Sequence, residues 1–249
     1  MPRIAKTYIS LILCSGAGVL LIAVASWSSA SLPPFLTLLG FAAVSSTLKL
    51  RIPGLEGTLS PNFIFLLLAM LSCSFSELVA IALVAALVQS LWAAKKPRLV
   101  QIAFSAAAVV LSAVIAFQSS RLLLGSNASN SPLVFAILAG TVYLPLNTAF
   151  ISAVIGLVDR RPLLQVARMC YQCVFPYFMG GILFAGVVSG AFSRSSAWQG
   201  ATVLFPLAVL SHLYSLSRTL TITPGQFQSA NSPTEDKELV GAGARGRSH

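Results

Sequence analysis

Long apolar segments separated by short polar ones dominate this chain. An α-helix needs about 20 apolar residues to cross a bilayer, with a usable range of roughly 17 to 25, and eight runs come close to that length. We place these predicted spans at 8–27, 33–49, 61–76, 77–94, 100–117, 132–157, 172–191 and 200–217. The pattern predicts an all-α, polytopic integral membrane helix bundle with about eight transmembrane helices, within a range of six to eight.

The third and fourth runs are the least clearly separated. Only the residues from Ser74 to Glu77 lie between them, and the third run is short. A re-entrant pair or a tight helical hairpin therefore fits this part of the sequence as well as two complete crossings do.

The first run shares features with a signal peptide, because Arg3 and Lys6 precede it and small residues follow it. Its apolar part, from Tyr8 to Trp27, has a full spanning length rather than the shorter core of a signal peptide. We therefore expect an uncleaved first span.

The basic residues predict which ends of the spans face the cytoplasm. With the N-terminus inside, only Arg121 and Arg194 of the 16 Lys and Arg residues fall outside. The others fall inside: Arg3, Lys6, Lys49, Arg51, Lys95, Lys96, Arg98, Arg160, Arg161, Arg168, Arg218, Lys237, Arg245 and Arg247. Cytoplasmic loops are enriched in Lys and Arg, so this asymmetry predicts both termini in the cytoplasm.

Composition limits the number of domains and the class of partner. Hydrophobic residues make up 56% of the 249 residues and charged residues 9%, so we expect one transmembrane domain over 1–220. The polar segment 221–249 has little to bury and is predicted to be a disordered cytoplasmic tail. The net charge of +10 follows the membrane topology instead of forming a basic face, so the expected partner is the lipid bilayer and no nucleic acid.

Four polar residues are candidates for lining a ligand pocket. Glu77 lies between two apolar runs, where it is either an intramembrane functional group or a cap on the N-terminus of the fourth helix, and the cap is the favoured interpretation. Gln89 and Asn147 lie within apolar runs and need partners across a helix interface, or line a pocket together with Tyr143.

Small residues in the seventh run predict a helix-packing interface. Gly181, Ala185, Gly186 and Gly190 recur at spacings that place them on neighbouring lines of one helix, and small residues let helices approach closely.

Metal and catalytic motifs are not evident. Cys170 and Cys173 form a CxxC pair, but a zinc site needs two more ligands, and Cys14 and Cys73 lie in apolar spans. We therefore expect no metal, no cofactor and no enzymatic activity.

A group of bacterial membrane sensor domains resembles this chain over about residues 30–218. The similar segments are Leu48–Ser60, the apolar Phe63–Leu71, and Ser76–Leu91. Tyr143–Thr148 is similar to that group's intramembrane Asn motif. Two further similar segments are Phe175–Tyr177 and Phe205–Tyr214. The chain thus resembles the MASE-like regions that precede GGDEF cyclase or HD-GYP phosphodiesterase domains.

Two features depart from that group. Phe104-Ser105 stands where the group tends to have Phe-Asn, which puts a ligand role at that position in doubt. No cyclase or phosphodiesterase domain follows residue 220, where the sequence continues only as the polar tail. The resemblance therefore implies a sensory or ligand-binding membrane module without its usual output enzyme.

We expect a stand-alone sensory module in the bacterial inner membrane that signals through a separate cytoplasmic protein, and a homo-oligomer is compatible with its packing residues. The alternative is a small-solute transporter, or the substrate-binding membrane subunit of one. Arg51–Ser60 followed by short helices resembles the vitamin-binding membrane components of ECF-type transporters.

Overall fold

The structure is a computed structural model, and it describes most of the chain up to residue 189. The described residues are 2–29, 32–47, 50–51, 58–59, 62–92, 97–125, 131–159, 164, 168, 171, 175, 178–186 and 189. The predicted eighth span at 200–217 and the predicted tail at 221–249 lie outside the described residues, as do Cys170, Cys173 and Gly190.

The described part of the chain is helical apart from one very short hairpin. Its elements are α1 (Arg3–Ala25), α2 (Leu32–Thr47), β1 (Leu50–Arg51), β2 (Thr58–Leu59), α3 (Phe63–Ser72), α4 (Phe75–Leu91), α5 (Leu99–Leu124), α6 (Pro132–Asp159) and α7 (178–186). The two strands pair antiparallel, with Leu50 opposite Leu59 and Arg51 opposite Thr58.

Three of the described helices, α1, α5 and α6, are long and apolar enough to cross a membrane. They contain 23, 26 and 28 residues, which at 1.5 Å per residue gives about 34, 39 and 42 Å. The apolar α2, α3 and α4 are shorter. The prediction of an all-helical, membrane-associated bundle is therefore confirmed.

The side-chain contacts show that two pairs of helices run antiparallel, α6 with α7 and α3 with α4. Gly140 of α6 lies against Ile182 of α7, and Leu133, near the start of α6, lies against Gly186. In the same way α3 and α4 run antiparallel, because Asn62 at the start of α3 bonds to Gln89 near the end of α4. We call the two ends of this pair the Glu77 end and the Gln89 end.

The α1 helix is fitted closely against α5. Gly16 is buried there, and a Cβ added to it would lie 2.7 Å from the Cβ of Ala107 and 3.1 Å from its Cα. In lipid, helices gain little hydrophobic stabilisation by associating, so close van der Waals packing of this kind holds them together. Farther toward the start of both helices, Tyr8 packs on Phe104 and donates a hydrogen bond to the carbonyl oxygen of Phe150 in α6 (3.3 Å).

The short α3 is the most deeply enclosed helix of the described bundle. Its sequence has no polar face, and every residue from Phe63 to Met70 is buried. Phe65 stacks on Phe41 of α2, and Phe63 lies against Phe178 of α7. A helix that is apolar on all sides has to be covered on all sides, and its neighbours provide that cover.

The turn between α3 and α4 is tighter than the sequence predicted. The predicted third run, 61–76, forms a helix of only ten residues, and α4 begins at Phe75 instead of residue 77. Ten residues extend about 15 Å, half of the roughly 30 Å hydrocarbon thickness. Only Cys73 and Ser74 separate the two helices, so α3 and α4 form a helical hairpin with a tight turn.

Candidate functional site

Glu77 is buried at the Glu77 end of the bundle, where it caps the N-terminus of α4. Ser74 is the N-cap, and its hydroxyl accepts a hydrogen bond from the backbone N–H of Glu77 (3.4 Å). The Glu77 carboxylate accepts a bond from the backbone N–H of Ser74 in return (2.8 Å). This reciprocal capping box satisfies N–H groups that the first turn of a helix leaves unpaired, and it places a negative charge where the helix dipole is positive.

The same carboxylate ties α4 to the end of α1. The hydroxyl of Ser29 donates to Glu77 Oε1 (2.7 Å), and the hydroxyl of Ser74 donates to the carbonyl oxygen of Ser28 (2.6 Å). Ser76 donates to the carbonyl oxygen of Ser26 (3.2 Å). We call these six residues, Ser26, Ser28, Ser29, Ser74, Ser76 and Glu77, the serine–glutamate junction.

Glu77 is only 1% exposed. Its carboxylate accepts hydrogen bonds from the hydroxyl of Ser29, on the segment after α1, and from the backbone N–H of Ser74, at the N-terminus of α4. This arrangement joins two helices and needs no substrate to complete it. The geometry of Glu77 is therefore that of a structural cap.

Gln89 meets a residue that the sequence did not single out. The side-chain N–H of Asn62 donates to Gln89 Oε1 (3.1 Å), and Asn62 is 7% exposed. Asn62 precedes an apolar run and follows a proline, so it looked like an ordinary loop residue. Only the antiparallel pairing of α3 with α4 brings the two amides together across 27 positions of sequence.

Tyr143 belongs to an aromatic cluster that joins α6, α3 and α7. Its ring centroid lies 5.2 Å from that of Phe63 and 6.1 Å from that of Phe178, and the rings of Phe63 and Phe178 are 3.8 Å apart. Tyr143 is 3% exposed. These contacts fix the side of α6 that faces the start of α3.

Asn147 lies one helical turn beyond Tyr143, on the same side of α6. Its side-chain oxygen is buried and accepts no hydrogen bond from the protein. A buried amide oxygen without a donor costs roughly 1–3 kcal/mol, so this atom is an incomplete hydrogen-bonding position in the interior.

The small residues of α7 are buried against other helices of the same chain. A Cβ on Gly181 would lie 3.1 Å from Ile64 Cγ1, and a Cβ on Gly186 would lie 2.6 Å from Leu133 Cδ1. Ala185 between them is fully buried. These residues therefore serve packing within the bundle, and the packing predicted for Gly190 lies outside the described residues.

The four pocket candidates do not converge on one place. Glu77 and Gln89 are twelve residues apart on α4, which separates them by about 18 Å along the helix. Tyr143 and Asn147 lie on α6 near the start of α3, as Asn62 does. The interior thus has two polar locations, the serine–glutamate junction at one end and the amides Asn62, Gln89 and Asn147 toward the other.

Metal-binding geometry does not arise among the residues that the structure describes, since no group of three His, Cys, Asp or Glu side chains comes together there. Amides and aromatic rings dominate the second polar location, and such groups bind ligands through hydrogen bonds and ring contacts.

Comparisons with known proteins add nothing to this geometry. No protein-family model, no curated protein and no solved structure matches this chain.

Proposed function

We propose that this protein is a stand-alone, multi-pass sensory module of the bacterial inner membrane, which binds a small ligand inside its helix bundle and signals through a separate cytoplasmic protein. In this proposal it is a MASE-like sensor domain with about eight spans and both termini in the cytoplasm. It is not an enzyme and needs no cofactor.

The observation that carries the proposal is a set of amides inside an apolar bundle, among which the buried side-chain oxygen of Asn147 has no hydrogen-bond donor from the protein. Polar side chains at membrane depth are costly and usually functional. Asn62, Gln89 and Asn147 offer hydrogen bonds without acid–base or metal chemistry among them. Such groups suit recognition of a ligand better than conversion of a substrate.

Crosslinking and pull-down from native membranes test the signalling proposal. We expect the tagged protein, crosslinked before solubilisation, to retain a cyclase, a phosphodiesterase or a kinase that mass spectrometry identifies. Capture of transporter ATPase subunits instead would replace the sensory proposal with solute uptake.

The length of α3 favours solute transport as the second candidate. Transporters often build their midplane sites from interrupted or short helices, and α3 has only ten residues beside a buried amide pair. In that case the chain is a small-solute carrier or the substrate-binding membrane subunit of an ECF-type transporter.

The proposed topology predicts a defined pattern for reporter fusions. Reporters placed after Lys96, Arg121 and Arg161 are expected to read inside, outside and inside, because most basic residues then lie in the cytoplasm. The supporting geometry is that Arg98 and Arg121 lie exposed at opposite ends of the 26-residue α5. Paired cytoplasmic and periplasmic reporters measure each position, and the reversed pattern would rule out this orientation.

A further inference from the structure

Three cations lie where the helices α1 and α5 begin. Arg3 is the first residue of α1, Lys6 follows three residues later, and Arg98 is the N-cap of α5. All three side chains are exposed. We call Arg3, Lys6 and Arg98 the basic edge.

The packing of α1 on α5 brings these cations to one end of the bundle. Tyr8 of α1 packs on Phe104 of α5, with ring centroids 6.1 Å apart, and farther along both helices Gly16 lies against Ala107. The two helices therefore run in the same direction. Each of the two rings lies within about 10 Å, along its own helix, of the cations at the start of that helix.

The basic edge has a surplus of positive charge. The helices of the described part of the chain contain two acidic residues, Glu77 and Asp159. Glu77 lies at the opposite end, where it bonds to the segment after α1. Asp159 ends α6 on the side of the basic edge, because Phe150, earlier in α6, accepts a hydrogen bond from Tyr8. Three cations thus face one acidic position.

The helix dipoles do not account for these cations. The start of a helix is the positive end of its dipole, where acidic side chains are stabilising and basic ones are not. Neither α1 nor α5 has an acidic residue in its first turn. The cations therefore do not stabilise the helices that they flank, and an anion beside them would be attracted by their side chains.

Exposed apolar side chains lie next to the cations. Ile4 is 70% exposed, and Leu99 and Val100 are 83% and 50% exposed. Long basic side chains beside exposed apolar ones are suited to the boundary of a bilayer, where the apolar groups enter the acyl layer and the cations extend to the headgroups. This mixture fits a phospholipid better than a water-soluble anion, which has nothing to place against the apolar side chains.

We propose that the basic edge binds anionic phospholipids, with the headgroup phosphate against the cations and the acyl chains against the neighbouring apolar side chains. With the N-terminus inside, the leaflet concerned is the cytoplasmic one, whose anionic lipids attract basic segments close to the membrane. The positive-inside rule concerns orientation, whereas this proposal predicts selection among headgroups. It does not rest on the sensory function proposed above, because it needs neither a small ligand nor a signalling protein.

Competition binding to the purified full chain in neutral detergent tests the proposal. The probe is fluorescent phosphatidylglycerol, and the competitors are unlabelled phosphatidylglycerol, phosphatidylcholine with the same acyl chains, and inorganic phosphate. We expect phosphatidylglycerol to displace the probe at a concentration at least about tenfold lower than phosphatidylcholine does, because only its net charge differs in sign from that of the cations. We expect no displacement by inorganic phosphate at the same concentrations.

Three outcomes of this competition overturn the proposal. If the probe does not bind, the basic edge takes no anionic lipid. If phosphatidylcholine competes equally, acyl chains bind without help from the cations. If inorganic phosphate competes as well as phosphatidylglycerol, the surface binds free anions and not lipid.

Two matched substitutions on α5 locate the binding site. Arg98→Gln and Arg121→Gln each remove one exposed cation, from opposite ends of the same helix. Each basic residue near an anionic surface strengthens binding about fivefold, so we expect Arg98→Gln to weaken phosphatidylglycerol binding by about that factor. Arg121→Gln is expected to change it less than about twofold. Equal losses in the two variants would show a general effect of net charge and would overturn the assignment to the basic edge.

The two cations of α1 are tested together. Arg3→Gln combined with Lys6→Gln is expected to weaken phosphatidylglycerol binding by about 25-fold, and Arg3→Lys combined with Lys6→Arg, which keeps both charges, is expected to preserve it. If binding survives loss of both charges, α1 is not part of the site and the proposal fails. The competition on the unmodified chain does not depend on the folding of any variant.

Discussion

Replacing Gly16 by valine is expected to destabilise the bundle by about 1–3 kcal/mol, a typical cost of adding volume to a closely packed interior. The added Cβ would lie 2.7 Å from the Cβ of Ala107 and 3.1 Å from its Cα. Neither atom belongs to a flexible side chain that can turn away, so α1 has to move off α5. The midpoint of thermal unfolding in mild detergent, followed by loss of the monodisperse protein, measures the effect.

Gly18→Val provides a matched control in the same helix. It has the same change in side chain and the same effect on helix propensity, but a Cβ on Gly18 would have nothing within 4 Å. We therefore expect Gly18→Val to unfold close to the parent protein. If both variants lose stability equally, helix propensity explains the loss and the close contact between α1 and α5 does not.

Replacing Glu77 by alanine is the second change with a large expected effect, about 2–4 kcal/mol of stability. The variant loses the carboxylate half of the capping box, which leaves the N–H of Ser74 without its acceptor and removes the acceptor of Ser29. Glu77→Gln keeps an oxygen at the third position of the capping box, where glutamine also serves, so we expect it to lose about 1 kcal/mol or less. Thermal unfolding of both variants, measured in parallel, gives the comparison.

The ranking of these two variants separates a structural role from a functional one. A capping role predicts a clear difference in stability between alanine and glutamine. If glutamine preserves stability but abolishes capture of the cytoplasmic partner, the negative charge itself serves the function. If glutamine is as destabilising as alanine, the charge holds α4 and the capping oxygen is not sufficient.

Helices with a long, uninterrupted apolar run were predictable from the sequence. The predicted spans 8–27, 100–117 and 132–157 each fall largely within a helix long enough to cross a membrane. Pro145 did not prevent this, because it lies inside α6 with the helix continuing on both sides. Length and hydropathy are local properties, so the sequence reports them directly.

Boundaries set by a cap were partly predictable. Glu77 was expected either to cap the fourth helix or to mark a site, and the structure has it as the third residue of a capping box whose N-cap is Ser74. The sequence placed the start of that helix two residues too late, because apolar Phe75 resembled the end of the previous run. The signal available was the spacing Ser74-x-x-Glu77, which is the pattern of a capping box.

Contacts between distant parts of the chain were not predictable in the same way. Ser29 lies 48 residues from Glu77, and Asn62 lies 27 residues from its partner Gln89. Ser29 and Asn62 are small polar residues beside apolar runs, and many sequences have small polar residues at such positions. Their partners depend on which helices become neighbours, and hydropathy does not encode that.

The complete enclosure of α3 has a consequence for the order in which the protein is made. A helix of ten residues is too short to be held in the bilayer alone, so we expect it to enter the membrane as a hairpin with α4. The ring of Phe63 is covered by Tyr143 and Phe178, which the ribosome adds much later. Because the N-terminal part of a chain is synthesised first, α3 remains partly uncovered until Tyr143 and Phe178 have been added. A nascent chain stopped before residue 178 is therefore expected to be a substrate for membrane quality control, even though the helices α1 to α6 are already made.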